Sequence, residues 1–314
     1  MVPTVNRTLV LGGTGFLGRH VCEKLQRAGH AITVPTRRTH HAKPIQHLPR
    51  LSVVQADVHQ EAELMRLLPG HSAVVNLVAI LHGDEARFEH THVALPEKLA
   101  RTCVASNVKR LVHVSALGVA PDGPSMYQRS KARGEQVLQQ ARLDLTILRP
   151  SVVFGQGDRF LNLFARLQAL FPVVPLACAQ ARFQPVWVED VAQAVVNALA
   201  RTPPSPVIEC AGPEVLTLAD LVRLAGRHGS RQRPVIPLPK ALGGLQAWLM
   251  ELAPGEPLMS RDNLAAMAVD NVSSGQLPGL DLPFAPGQRA QRGAGLPRRA
   301  GIKKGRRAGA PAVK

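Results

Sequence analysis

The first half of the chain alternates short apolar runs with segments whose apolar residues return every three or four positions. The runs are Arg7–Leu11, Ala31–Val34, Leu51–Gln55, Ala73–Ala79, Arg110–Ser115 and Leu143–Leu148. After the first of them Leu17, Val21, Leu25 and Ala28 recur at helical spacing, and Gly29 supplies a helix stop. Glu61–Leu68, Leu95–Ser106 and Ser130–Ala141 read as further helices. The strands are nearly continuously apolar rather than alternating, which is the pattern of strands covered on both faces. Repeated β–α units of this kind predict an α/β fold built on a doubly wound parallel sheet, over residues 1–150.

After Arg149-Pro150 the rhythm loosens. Phe160–Leu170, Val191–Ala200, Leu218–Arg227, Leu242–Leu252 and Asn263–Ala268 keep helical spacing, and Pro206–Cys210 is extended. Pro203-Pro204 and the prolines from Pro234 to Pro239 cut this half into short pieces. Residues 151–284 are expected to complete the sheet and to form a smaller C-terminal substrate lobe. Across residues 285–314 the pattern stops. Ala, Gly, Arg and Pro make up 22 of these 30 residues, and the bulky apolar ones are Leu296, Ile302 and Val313. Such a segment buries too little surface to offset its chain entropy, so a disordered basic tail is expected.

The tail changes the reading of charge. The net +16 resembles a nucleic-acid signature, but nine of the 38 Lys and Arg lie in residues 285–314, which hold no Asp or Glu. The remainder carries 29 basic and 22 acidic residues, a net +7. No specific nucleic-acid partner is expected; so basic a tail could also touch anionic lipid at a membrane surface. No apolar run reaches the length of a membrane span and no secretory leader is visible, so the expected location is cytoplasmic, with the inner face of the membrane open to it. Cys22, Cys103, Cys178 and Cys210 are far apart in apolar surroundings, and are read as buried thiols rather than a metal site.

The candidate chemistry begins at Gly12-Gly13-Thr14-Gly15-Phe16-Leu17-Gly18, between the first strand and first helix. Glycine at positions 12, 15 and 18 allows a tight turn, a close approach of backbone to a pyrophosphate, and close packing of helix on sheet. The helix N-terminus then offers unpaired N–H groups to the phosphates. The frame is Rossmann-like and calls for a nicotinamide dinucleotide. At the end of the second strand, where an acidic residue would hold the ribose hydroxyls of NAD, stand Arg37 and Arg38. Guanidinium groups pair with a phosphate, so NADP(H) is preferred, with NAD(H) still open. Asp57-Val58 follows the third strand, near the expected adenine, or else Asp57 caps the next helix. Asn76, Leu77, Val78 and Ala79 end the fourth strand beside the expected nicotinamide ribose, or else Asn76 satisfies a strand end. Ser115 ends the fifth strand. Tyr127 and Lys131 are four apart and share a helix face. The ammonium is expected to draw the phenol toward the range useful for acid/base work, Ser115 to hold a substrate carbonyl, and Lys131 to reach the nicotinamide ribose as well. Tyr127 is the chain's single tyrosine. His113 is read as a hydrogen-bonded core residue, His82 as a candidate for the substrate mouth, and Glu189-Asp190 as a helix-opening acidic pair.

These residues resemble the short-chain dehydrogenase/reductase superfamily in its extended, NAD-dependent epimerase/dehydratase form. The likeness continues through Leu148-Arg149-Pro150-Ser151-Val152-Val153-Phe154-Gly155 and Phe183–Ala192, and implies that Pro150, Val152 and Val153 line the cofactor. More narrowly, Val75–His82, Gly157–Asn162 and Ala253–Asn263 resemble the group around the NADPH-binding accessory subunit of respiratory complex I. That resemblance implies either hydride transfer to an unidentified small-molecule substrate or a non-catalytic, nucleotide-stabilised accessory role in a respiratory or quinone-linked assembly. One departure stands out. Where extended members commonly place a proton-relay asparagine, this chain has His92, which is expected either to replace it or to mark a site kept for binding.

Overall fold

The computed structural model describes residues 6–201, 206–229, 231–252, 257 and 259–275. The tail expected at 285–314 lies outside them, as do Ala253–Glu256 and Leu258 of the motif quoted above. The elements run β1 (Arg7–Leu11), α1 (Phe16–Arg27), β2 (Ala31–Thr36), β3 (Leu51–Gln55), α2 (Glu61–Leu67), β4 (Ala73–Asn76), α3 (Glu85–Glu89), α4 (Leu95–Ala105), β5 (Arg110–Val114), α5 (Met126–Gln140) and β6 (Asp144–Pro150). They continue as β7 (Val153–Phe154), α6 (Leu161–Leu170), β8 (Val174–Leu176), β9 (Arg182–Phe183), β10 (Val186–Trp187), α7 (Val188–Ala200), β11 (Val207–Cys210), β12 (Leu216–Thr217), α8 (Leu218–His228), β13 (Val235–Pro237), α9 (Lys240–Glu251) and α10 (Arg261–Ala266).

Seven strands pair in the order β11-β6-β5-β4-β1-β2-β3, and every pairing is parallel. The chain winds one way from β1 through β2 to β3, then returns to β4 on the other side of β1. Ligands of open α/β sheets sit at such a reversal, beyond the carboxyl ends of the strands. Successive residues of one strand feed opposite layers: Val10 joins Val21, Leu25 and Val195 under α1 and α7, whereas Leu9 and Leu11 join Leu64, Leu99 and Leu138 under α2, α4 and α5. Each fully buried Leu or Val contributes about 1.5–3 kcal/mol, so both layers hold the sheet and explain its apolar strands. A third cluster, with Phe154, Phe164, Phe183, Leu218 and Val222, packs α6 and α8 and forms the core of the second lobe.

Several boundaries differ from the sequence reading, and three of them have a clear local reason. β4 stops at Asn76 because its carboxamide oxygen accepts the Val78 N–H at 3.1 Å, turning the chain away. α5 starts before Ser130, because Ser125 and Gln128 form a reciprocal capping box around its first turn. The fourth helix is longer than Leu95–Ser106: α3 runs into a wide π-helical turn, His90–Ala94, and then into α4. Cys22, Cys103 and Cys210 are buried thiols whose pKa burial pushes up to about 12, and Cys178 is half-buried.

Candidate functional site

The carboxyl edge of the sheet brings together residues that are far apart in sequence. At the glycine loop, Gly12 has φ +79° and its carbonyl accepts the Gly15 N–H at 3.0 Å. A Cβ on Gly18 would lie 2.3 Å from the Gly12 oxygen and 2.6 Å from the Gly13 Cα, so α1 reaches the turn only through a glycine. The α1 N-terminus carries no side-chain cap and no acid in its first turn, and Gly15 is exposed. Thr14, Phe16 and Leu17 are part-exposed around it. Open N–H groups and a positive helix end are what a pyrophosphate requires. Arg37 and Arg38 stand exposed just past β2, outside every ion pair found among the described residues. On the adjacent strand Asp57 caps no helix. Its carboxylate accepts the His59 N–H at 3.1 Å, and α2 begins after Gln60, which supplies no side-chain cap. Val58 packs against the α2–α4 layer.

Asn76 is occupied internally. Its amide donates to His113 Nδ1 at 3.1 Å, and both groups are buried. His113 is therefore a core histidine, its pKa held well below the ordinary range by burial and by Lys131. Leu77 bonds back to Leu11, Val78 turns on Asn76, and Ala79 is exposed at the edge. His82 follows on the loop toward α3.

The second corner is centred on α5. Ser115 is 6% exposed, and its hydroxyl has no hydrogen-bond partner among the described residues. Leaving a buried hydroxyl unpaired costs about 1–3 kcal/mol, which a polar ligand atom would recover. Lys131 is 2% exposed and donates from Nζ to the carbonyl of Val114, the residue before Ser115, at 2.9 Å. Burial lowers its pKa to about 8. Tyr127 is half-buried, with its pKa pushed up to about 12 by burial. The downward tuning of Tyr127 by Lys131 is thus not what this geometry provides: the ammonium is held on a backbone carbonyl and desolvation dominates both groups.

His92 Nε2 accepts the Ile80 N–H at 3.1 Å, so its proton is on Nδ1. Nδ1 donates to Ser130 Oγ at 2.9 Å, and Ser130 in turn donates to the Tyr127 carbonyl at 2.9 Å. The ring is 2% exposed, meets Tyr127 edge-on at 5.5 Å, and has a pKa lowered to about 3 by burial and then by Lys131. Both ring nitrogens of His92 are thus engaged by the fold, which makes it a brace between the segment after β4 and α5.

Four residues that sequence reasoning did not single out position this corner. Asp262 on α10 accepts from the Met126 and Tyr127 N–H groups at 2.6 and 3.1 Å, closing the α5 N-terminus from more than a hundred residues away. Asn271 accepts from Ser151 Oγ at 2.6 Å and Val152 N at 3.0 Å, and donates to the Leu117 carbonyl at 3.1 Å. It ties the segment after β6 to the segment after Ser115. Val152 also accepts from Val186 N, so both its backbone groups are occupied, as is the Pro150 carbonyl by Leu117 N; Val153 lies in β7. Gly134 lets α5 approach, since a Cβ there would lie 1.9 Å from the His92 carbonyl. Ser130 links His92 to Tyr127. No local pattern announces these pairings; only Gly134, a glycine inside a helix, could have been flagged. Glu189 reaches across to α1, accepting from His20 at 2.5 Å and pairing with Lys24 at 3.2 Å. It joins two helices and takes no part in the site.

The glycine cradle, the open helix end and the unpaired Ser115 hydroxyl fit a nicotinamide dinucleotide laid across the sheet edge. Residues 8–211 match the model of the NAD dependent epimerase/dehydratase family. The chain belongs to this family. Like other members it is a nicotinamide-dinucleotide-binding protein of the extended short-chain dehydrogenase/reductase fold. Among curated proteins it is 32% identical to the mitochondrial NADH dehydrogenase [ubiquinone] 1 alpha subcomplex subunit 9 of Mus musculus, over 87% of this chain and 74% of that one. It is 30% identical to the ceramide reductase of Caulobacter vibrioides, over 64% of this chain and 62% of that one. Among solved structures, the family fold is shared with a dTDP-glucose 4,6-dehydratase of Streptomyces venezuelae with NAD bound: TM-score 0.64, 23% identity, covering 74% of this chain and 85% of that one. No helix among the described residues is long and apolar enough to cross a membrane.

Proposed function

We propose that this family member is an NADP(H)-dependent reductase of a carbonyl substrate. The observation that carries the reading is the buried Ser115 hydroxyl, without a hydrogen-bond partner among the described residues, at the strand end where Lys131 bonds to the Val114 carbonyl. Tyr127 lies one turn before Lys131 on α5, and burial favours its neutral phenol, the form that can give the proton a carbonyl reduction needs. The bound cofactor supplies the hydride. Ser115 Oγ donates to the substrate carbonyl oxygen and orients it. Tyr127 Oη delivers the proton to that oxygen, and Lys131, bonded to the Val114 carbonyl, is placed to reach the nicotinamide ribose. Arg37 and Arg38 favour the 2′-phosphate of NADP(H). The part of the chain built on α6 and α8 supplies the substrate contacts.

A second reading is favoured by one observation, the His92 brace. A site whose relay position is locked into the fold suits a nucleotide kept for stability, in an accessory protein of a respiratory assembly at the inner face of the membrane. The likeness to the complex I subunit over most of the chain supports it, as bound ligand stabilises a folded state by mass action.

One variant separates the two. With a panel of carbonyls and quinones, and NADPH oxidation as the readout, Tyr127→Phe should lower turnover by ~10²–10⁴-fold with nucleotide affinity unchanged. A wild-type rate that Tyr127→Phe leaves intact removes the proton-donor role. Retained nucleotide with no turnover on any substrate supports the accessory reading. In the same titrations Arg37→Ala with Arg38→Ala should weaken NADPH by about 10–100-fold and NADH little; equal losses would refute the NADP(H) preference.

A further inference from the structure

Helix α9 is packed inside out. Two of its small residues face the body: Ala247 is fully buried, and a Cβ on Gly243, one turn earlier on the same face, would lie 2.7 Å from the Ala177 Cβ. Its large ones face outward. Leu242, Leu245, Leu249 and Leu252 form a stripe at spacings of three and four, exposed by 52, 52, 55 and 64%, and Trp248 beside them by 43%. Ile236, just before the helix, is 47% exposed as well. A helix that needed only water on its outer face would show the reverse order, and a contiguous apolar stripe of this size marks a docking surface.

We propose that this face of α9 inserts into the headgroup region of an anionic lipid surface. Leucines with a tryptophan on one side of a surface helix are the composition of an interfacial helix, with the indole at headgroup level. The charges nearest to it along the chain favour an anionic lipid, although Arg223 is paired with Asp220 at 3.0 Å. From Leu218 to Leu252 there are five Lys and Arg against Asp220 and Glu251, and Glu251 is already paired with Arg261 at 2.8 Å. Arg231 and Arg233 fasten to the carbonyls of Ala169 and Gln168, on the rim beside β13. Nine further Lys and Arg lie within residues 285–314. A second copy is a poor occupant, because two chains of net +16 repel. An anionic bilayer satisfies both the apolar stripe and the basic rim.

The docking surface borders the site without belonging to it: α9 packs on α10, whose Asp262 closes the α5 helix at Tyr127. The proposal stands apart from the reductase reading, and nucleotide binding is measured separately in the test.

The chain has two tryptophans, Trp187 and Trp248, so full-length protein carrying Trp187→Phe makes Trp248 the sole reporter. With vesicles of phosphatidylcholine and phosphatidylglycerol, Trp248 emission should shift to the blue and be quenched by brominated acyl chains. Partitioning should exceed that to pure phosphatidylcholine by at least ~tenfold. Leu245→Glu with Leu249→Glu should abolish the quenching and cut partitioning by ~tenfold or more, with NADPH affinity and melting temperature unchanged. If Trp187→Phe disturbs folding, vesicle flotation of the wild-type chain against the double glutamate variant gives the same comparison. Unchanged emission, or flotation that survives the two glutamates because the basic tail binds alone, overturns the proposal. A blue shift that grows with protein concentration in the absence of lipid also overturns it, in favour of a second copy.

Discussion

The two corners of the site lie on one sheet edge and are built in opposite ways. The glycine-loop corner is made of backbone, is open to solvent, and draws its parts from a dozen consecutive residues and the end of the next strand. The α5 corner is made of side chains and is nearly closed. Its hydrogen bonds run from Ile80 through His92 and Ser130 to Tyr127, from Lys131 to Val114, and from Asp262 and Asn271 inward. A phosphate site can be local because helix geometry already supplies its donors. A proton site cannot, because pKa depends on desolvation, and desolvation depends on what other parts of the chain cover.

That contrast can be broken most severely at its glycines. Gly18→Ala forces a Cβ against the Gly12 carbonyl, and nucleotide affinity should fall ~100-fold or more by titration. Gly134→Ala presses on the His92 carbonyl instead. It should lower the melting temperature and disturb the Tyr127 corner, with the phosphate end spared. Equal effects of both variants on nucleotide affinity would show that the corners are not separable.

A smaller effect is expected from acid. His92 has an ordinary pKa near 6.5 when unfolded and about 3 when folded. Its lowered pKa means that its contribution is complete above about pH 6.5 and is lost as pH falls toward 3, because only the unfolded chain takes up the proton in that window. His113 acts with the same sign. His92→Asn removes one of the two, so denaturant unfolding at pH 7 and pH 4 should show a stability loss smaller by on the order of 2 kcal/mol than in the wild type. An identical pH slope in the variant would mean that His92 is solvated.

The smallest change sharpens the long-range side. Asp262→Ala uncovers two N–H groups at the α5 N-terminus and should cost ~0.5–2 kcal/mol, a shift of a few degrees in melting temperature. Asp262→Asn should recover part of it. No change in melting would mean that Ser125 alone suffices as the cap.

Periodicity and glycine placement determined much by themselves. Continuous apolar strands separated by amphipathic helices dictate a parallel sheet with two covered faces, since no other layer arrangement buries both sides of Val74 and Val75, or of Leu111 and Val112. Gly12 and Gly18 mark the phosphate turn because the steric demand is local: the first sits at positive φ and a Cβ on the second would strike the Gly12 carbonyl. Tyr127 and Lys131 share a face because helical spacing requires it. The tertiary structure decided the rest. It made His92 a brace, raised the Tyr127 pKa where the sequence suggested lowering, brought Asp262 and Asn271 to the site across more than a hundred residues, and turned the leucines of α9 outward. Each of these depends on which groups exclude water from which others. Burial is a property of the assembled chain, and a one-dimensional pattern shows which faces are apolar but not which of them find a partner.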